Sequence, residues 1–256
     1  MNLTQTVFTA ARQLYPRPTI LFSETPDYRE PVVFVANHEK NYGPSIMQLF
    51  FPIPYRPWVI HRMLERNVCR EYIREDFFEG RMGVPAPFSD WVAGLLERPL
   101  LGLMHSTRPI PVYREAPGGI VQTFNQSIAA LENGENLLIF PENGKLPHYS
   151  PRVKDIHTGF IYLAKLFHRR TGRSLTFVPV AINPSQDALS VGLRTVFNPG
   201  IDFRQEQERI RKHLLRQIDG LYNLPWQSSA LTRSTAALPE GDPGAAFPAG
   251  VYPTIR

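Results

Sequence analysis

Apolar residues along this chain fall into short runs rich in Val, Ile, Leu and Phe, separated by longer stretches with helical spacing. The runs are 31–36 (PVVFVA), 109–113 (PIPVY), 136–140 (NLLIF), 175–182 (LTFVPVAI) and the more polar 189–197. Their length and composition predict strands. The intervening spacing predicts helices over 45–50, 62–78 in pieces, 89–104, 119–132, 156–171 and 201–221. In the last of these, Ile210, Leu214, Ile218 and Leu221 recur at intervals of four, four and three, a stripe that a helix lays on a core. Strands alternating with helices predict an α/β fold, a largely parallel central sheet flanked by helices. Beyond Trp226 the chain turns to Ser, Ala, Pro and Gly and the periodicity ends, so 1–226 reads as a single α/β domain and 227–256 as a C-terminal tail.

Composition adds bounds. The 256 residues suffice for one sizeable core. The single cysteine, Cys69, has no intrachain partner and no companions for a zinc cage, so a reducing cytosol is expected. The other histidines, His61, His105, His148, His157, His168 and His213, lack metal-ligand spacing, and no metal is expected. Residues 1–14 do not read as a secretory signal, and no run approaches the roughly 20 apolar residues that span a bilayer. A membrane contact is therefore expected to be peripheral, on the cytoplasmic face.

Charge narrows the partners. Lys and Arg exceed Asp and Glu by 28 to 23, a net +5 that favours anions. The segment 145–173 carries seven bases (Lys145, Arg152, Lys154, Lys165, Arg169, Arg170, Arg173) against Asp155 alone. It reads either as a solvated helix face or as a surface for phosphate or anionic lipid. No nucleic-acid motif accompanies it, so nucleic acid is not an expected partner. The proline-interrupted aromatics Phe50, Phe51, Tyr55 and Trp58 read as core or wall, or as a membrane-facing or acyl-chain surface.

The candidate chemistry sits where the run 31–36 leads into Asn37-His38-Glu39-Lys40-Asn41-Tyr42-Gly43-Pro44. Loops after the carboxyl ends of strands are the usual ligand sites of open α/β sheets, and a histidine there is placed to accept a proton. Further along come Arg114 after the run 109–113, then Phe140-Pro141-Glu142-Asn143-Gly144-Lys145, then Val178-Pro179-Val180. In that order the four segments resemble the motifs of the PlsC-like glycerolipid (lysophospholipid) acyltransferases, over about residues 31–197. The resemblance implies an O-acyltransferase of phospholipid biosynthesis, and the basic segment makes an anionic membrane surface an expected partner. Such an enzyme would move a fatty acyl group from a thioester donor, acyl-CoA or acyl-carrier-protein, to a lysophospholipid-type hydroxyl. That chemistry requires no cofactor beyond the donor as co-substrate. By the same resemblance His38 is the general base, Glu142 belongs to the catalytic set, and Arg114, Asn143, Gly144 and Lys145 bind substrate, with Arg114 and Lys145 on the acceptor's phosphate.

Two positions depart from that pattern. The family carries Asp five residues after the histidine, where this chain has Gly43, and it usually has Arg where this chain has Lys145. Loss of an orienting carboxylate costs about 10⁴ in turnover in a serine-protease triad. Candidate replacements are Glu142, which follows a predicted strand as His38 does, then Asp155, the Tyr42 hydroxyl or a backbone carbonyl. Glu39, next to His38, is expected to point elsewhere. Gly43 predicts either a left-handed φ or a close approach, with Pro44 in the first turn of the next helix. The alternative reading is a catalytically silent lipid- or partner-binding member of the same fold.

Overall fold

The computed structural model describes residues 9–10, 12–13, 15–40, 42–65, 68, 70–71, 74–75, 79, 85–113, 118–142, 147–224 and 232–233. Its strands are β1 (Thr19–Phe22), β2 (Val32–Ala36), β3 (Arg56–Ile60), β4 (Ile110–Val112), β5 (Leu137–Ile139), β6 (Thr176–Asn183), β7 (Ala188–Val191), β8 (Thr195–Val196) and β9 (Thr232–Arg233). Its α-helices are α1 (Tyr42–Phe50), α2 (Ala86–Ser106), α3 (Gly119–Glu132), α4 (Tyr162–Thr171) and α5 (Phe203–Asn223). The strands form one sheet in the order β4-β3-β5-β2-β6-β7-β1-β9, with β8 joined to β6 off that path. From β4 through β6 every pairing is parallel, and β7 then runs antiparallel to β6. The α/β layering with a mostly parallel sheet is thus as the alternating pattern predicts.

The central strands are apolar on both faces because both faces are covered. Val33 and Val35 of β2, Leu137 and Ile139 of β5, and Phe177 and Ala181 of β6 join a core with α3, α4 and α5. The alternate residues, Val32, Phe34 and Ala36, Leu138, and Val178, Val180 and Ile182, face a second core with α1. The period-2 alternation of side chains divides each apolar run between the two layers. On α5 the stripe Ile210, Leu214, Ile218 and Leu221 is buried as expected, and Leu215 and Tyr222 widen it.

Several elements differ from the pattern-based expectation. The run 189–197 is two strands, β7 and β8. Between them the Gly192 N–H bonds the Pro179 carbonyl at 2.8 Å, and a Cβ on Gly192 would stand 2.9 Å from both Leu221 and Pro179. β3 was hidden by Pro52, Pro54 and Pro57, which break the alternation that marks a strand. The helix expected over 156–171 opens with a 3₁₀ turn, Gly159–Ile161, and becomes α-helical at Tyr162. Of 62–78, the 3₁₀ turn His61–Leu64 is described, and Cys69 lies outside the described residues. Within 227–256, Thr232–Arg233 pairs antiparallel with β1, and the remainder is outside the described residues.

Candidate active site

Strand register assembles the site. β2 and β5 are parallel with Val35 opposite Ile139, so three residues further on 38 falls beside 142 at one carboxyl edge of the sheet. On the other side of β2, Ala36 lies opposite Val180 of β6. Asn37, only 2% exposed, prolongs that pairing with its side chain: its Oδ1 accepts the Ile182 N–H at 2.7 Å, and its Nδ2 donates to the Ile182 carbonyl at 2.9 Å. The same Nδ2 donates to Glu39 Oε1 at 3.1 Å.

The chain then turns sharply. Glu39 and Lys40 adopt left-handed backbone angles, φ 45° and 54°. Two successive non-glycine residues there are strained, by about 1–3 kcal/mol each, and persist only where surroundings hold them. Three contacts do so. The Tyr42 N–H bonds the Glu39 carbonyl at 3.1 Å, the Glu39 carboxylate accepts from Asn37, and the Tyr222 side chain at the end of α5 lies close to that carboxylate. Tyr222 is itself fixed by Asn183, whose Nδ2 donates to the Tyr222 carbonyl at 2.7 Å. Gly43 closes the turn: a Cβ there would lie 2.2 Å from the His38 carbonyl oxygen. Its φ is not left-handed, so the close approach, and not φ, accounts for the glycine.

The half-buried His38 ring meets the Phe140 ring edge-on, with centroids 5.1 Å apart. The Glu142 carboxylate lies close enough to the His38 backbone N–H for that group to favour its ionised form, so the structure brings these two predicted residues together through the main chain. Burial raises the Glu142 pKa above the usual carboxylate value, partly offset by the His38 N–H and by Lys154 and His148, while Glu39 raises it further. Burial likewise raises the Tyr222 pKa, as do the charge and hydrogen bond of Glu39, against the lowering influence of Arg152.

A hairpin after the Phe-Pro-Glu segment brings cations to this edge. Glu142 forms an antiparallel bridge with Ile156, and the His157 N–H bonds the Pro141 carbonyl at 2.9 Å. His148 pairs with Lys154 across a turn closed by the Tyr149 and Ser150 N–H groups on the Val153 carbonyl. Arg152 at its tip stands over the Tyr222 ring, 5.9 Å from the centroid.

Other candidates are engaged elsewhere. Asp155 takes a forked bond from Arg211 (3.1 and 2.6 Å) and accepts the Ile156 N–H at 2.7 Å. The Tyr42 hydroxyl donates to Asp187 at 3.2 Å. Arg114, Asn143, Gly144 and Lys145 lie outside the described residues. Arg152 and Lys154 belong to the basic segment that the sequence marks as a candidate anionic surface, whereas no sequence pattern places Glu39 and Tyr222 at the site. Glu39 was set aside on the assumption of extended backbone. Tyr222 sits four residues after Ile218 on the apolar stripe, where its polar tip was the one available signal.

No family model and no curated protein sequence matches this chain. Among solved structures it is similar to the crystal structure of the 1-acyl-sn-glycerophosphate (LPA) acyltransferase PlsC from Thermotoga maritima, with a TM-score of 0.50 and 13% identity over 88% of this chain and 79% of that one. At that identity the likeness is one of fold: this chain has a PlsC-like α/β architecture.

Proposed function

We propose that this protein is an acyltransferase that moves a fatty acyl group from acyl-CoA or acyl-carrier-protein to the hydroxyl of a lysophospholipid-type acceptor, with His38 as general base. The observation that carries the reading is the meeting of His38 and Glu142 at one carboxyl edge of a PlsC-like sheet. The acceptor hydroxyl gives its proton to the imidazole as its oxygen attacks the thioester carbonyl carbon. A C–O bond forms, and the tetrahedral oxyanion collapses with loss of the C–S bond. The departing sulfur takes the proton from the imidazolium, which restores His38. Phe140 restricts the ring, and Glu142 holds the backbone from which it projects. Arg152 and Lys154 attract the acceptor's phosphate, together with Arg114 and Lys145 of the motif segments. Exposed Phe88 and Trp91 on α2, with ring centroids 5.9 Å apart, support a peripheral seat on a membrane surface.

The test is acyl transfer by the full chain with acyl-CoA and acyl-carrier-protein donors of several chain lengths. His38→Ala is expected to retain its unfolding midpoint and lose about 10²–10⁴ in turnover. Wild-type turnover in that variant removes the base role. Absence of transfer by the wild type with every donor, alongside saturable lysophospholipid binding, favours the silent binding protein, the reading that Gly43 in place of the family Asp supports.

A further inference from the structure

A second basic site lies far from His38. α5 runs from Phe203 to Asn223, and its Tyr222 end meets the His38 turn. At 1.5 Å per residue its Phe203 end lies roughly 28 Å away, at the amino end of β6. There a cleft of about 240 Å³ is lined by Lys165, His168 and Arg169 of α4 and by Phe197, Pro199, Ile201 and Phe203. No carboxylate lines it.

The charges in this cleft are unlike their neighbours. Arg170 pairs with Glu132 and Arg173 with Glu30. Among the described residues, no carboxylate lies within ion-pair distance of Lys165 or Arg169. These two are four residues apart on one helix face with His168 between them, a spacing at which like charges repel. The dipole of α4 accounts for bases in its last turn but not for Lys165, a turn earlier and facing the same cleft. Lys165 Nζ lies 5.1 Å from the Phe203 ring centroid and 5.9 Å from that of Tyr162, so two aromatic rings hold its ammonium at the border between the basic and apolar walls. The neighbouring Asp202 is turned to its own helix, where it accepts the Arg204 and Gln205 N–H groups.

We propose that this cleft binds the phosphate of a small phosphomonoester, with Lys165 and Arg169 on the phosphate oxygens and the ligand's organic group against Phe197, Ile201 and Phe203. The volume is below the roughly 300–1,000 Å³ of sites for drug-sized ligands, which fits a phosphate with a compact apolar group. A soluble ligand is assigned because the cleft opens at the end of the sheet opposite the edge that carries His38.

Isothermal titration of the full chain with phenyl phosphate and with inorganic phosphate tests this. Phenyl phosphate is expected to bind the wild type more tightly than inorganic phosphate. Lys165→Gln with Arg169→Gln should weaken both by roughly tenfold or more, as expected for lost charge-assisted hydrogen bonds. Ile201→Ala should weaken only phenyl phosphate. In a chain already carrying Arg152→Gln with Lys154→Gln, which removes the phosphate-attracting pair at the His38 edge, both ligands should still bind and should weaken when Lys165→Gln and Arg169→Gln are added, which separates this cleft from the acyltransferase site. Three results overturn the proposal: unchanged affinity on adding the Lys165/Arg169 substitutions in a folded variant, no remaining binding once Arg152 and Lys154 are replaced, or phosphate-dependent binding only to vesicles containing phosphatidic acid.

Discussion

Gly43 is where a single residue decides most. Its Cα packs on the His38 carbonyl, and an added Cβ would also come within 3.2 Å of Ile182 Cδ1. The obstacle is backbone, which cannot swing aside as a side chain can. Gly43→Ala is expected to lower stability by about 1–3 kcal/mol in denaturant unfolding. Gly43→Asp should lose at least as much and bring no rise in acyl transfer, and a Gly43→Ala midpoint equal to wild type would contradict the close approach. Glu142 supplies the opposite case, a residue whose removal should stabilise. Burial raises its pKa, so the folded state binds its proton more tightly than the unfolded chain does. The ionised carboxylate therefore lowers stability above the folded pKa and has no such effect below the unfolded value. Glu142→Gln is expected to raise Tm at pH 7, with the difference closing as pH falls towards about 4, while acyl transfer declines. A lower Tm at pH 7 would show that the carboxylate's contacts outweigh its burial.

At the scale of elements, the turn at His38 depends on a helix that comes to it from the other end of the fold. α5 packs its stripe on the sheet, and the last turn of that stripe delivers the Tyr222 hydroxyl to Glu39. Glu39 and Lys40 keep their left-handed conformation through that contact and through Asn37. Tyr222→Phe keeps the packing and removes the hydroxyl that faces Glu39. It should cost about 1 kcal/mol, read as a roughly fivefold lower kcat with KM for the acceptor little changed. A KM rise at constant kcat would instead place Tyr222 in acceptor binding, and no kinetic change would remove it from the turn's support.

Across the whole molecule, the basic segment 145–173 is not one surface. Arg170 and Arg173 are paired, Asp155 is matched by Arg211, Lys165 and Arg169 face the distant cleft, and Arg152 and Lys154 stand beside the candidate active site. Vesicle binding is therefore expected through the His38 edge. It should be stronger on anionic than on neutral vesicles and should weaken with salt. Arg152→Gln with Lys154→Gln should lower affinity for anionic vesicles by about thirtyfold, at about 1 kcal/mol per charge. Equal binding to neutral and anionic vesicles would contradict the electrostatic contact.

The sequence by itself determined the layers of this protein. Apolar runs at 31–36, 136–140 and 175–182, the stripe on 201–221 and the helix at 119–132 are local patterns, set by side-chain periodicity, and they appear as β2, β5, β6, α5 and α3. It also pointed to His38 and Glu142, because chemistry-bearing residues just after buried strands stand out in a chain read from one end. Only the tertiary structure decided what surrounds them. The register of β2 against β5 sets 38 beside 142, and β3 enters the sheet despite its prolines. Glu39 meets Tyr222 from the far end of the folded chain, and Gly43 is required by a carbonyl rather than by its own φ. These are contacts between segments distant in sequence, held by hydrogen bonds and close packing that leave no periodic trace in the residues that make them.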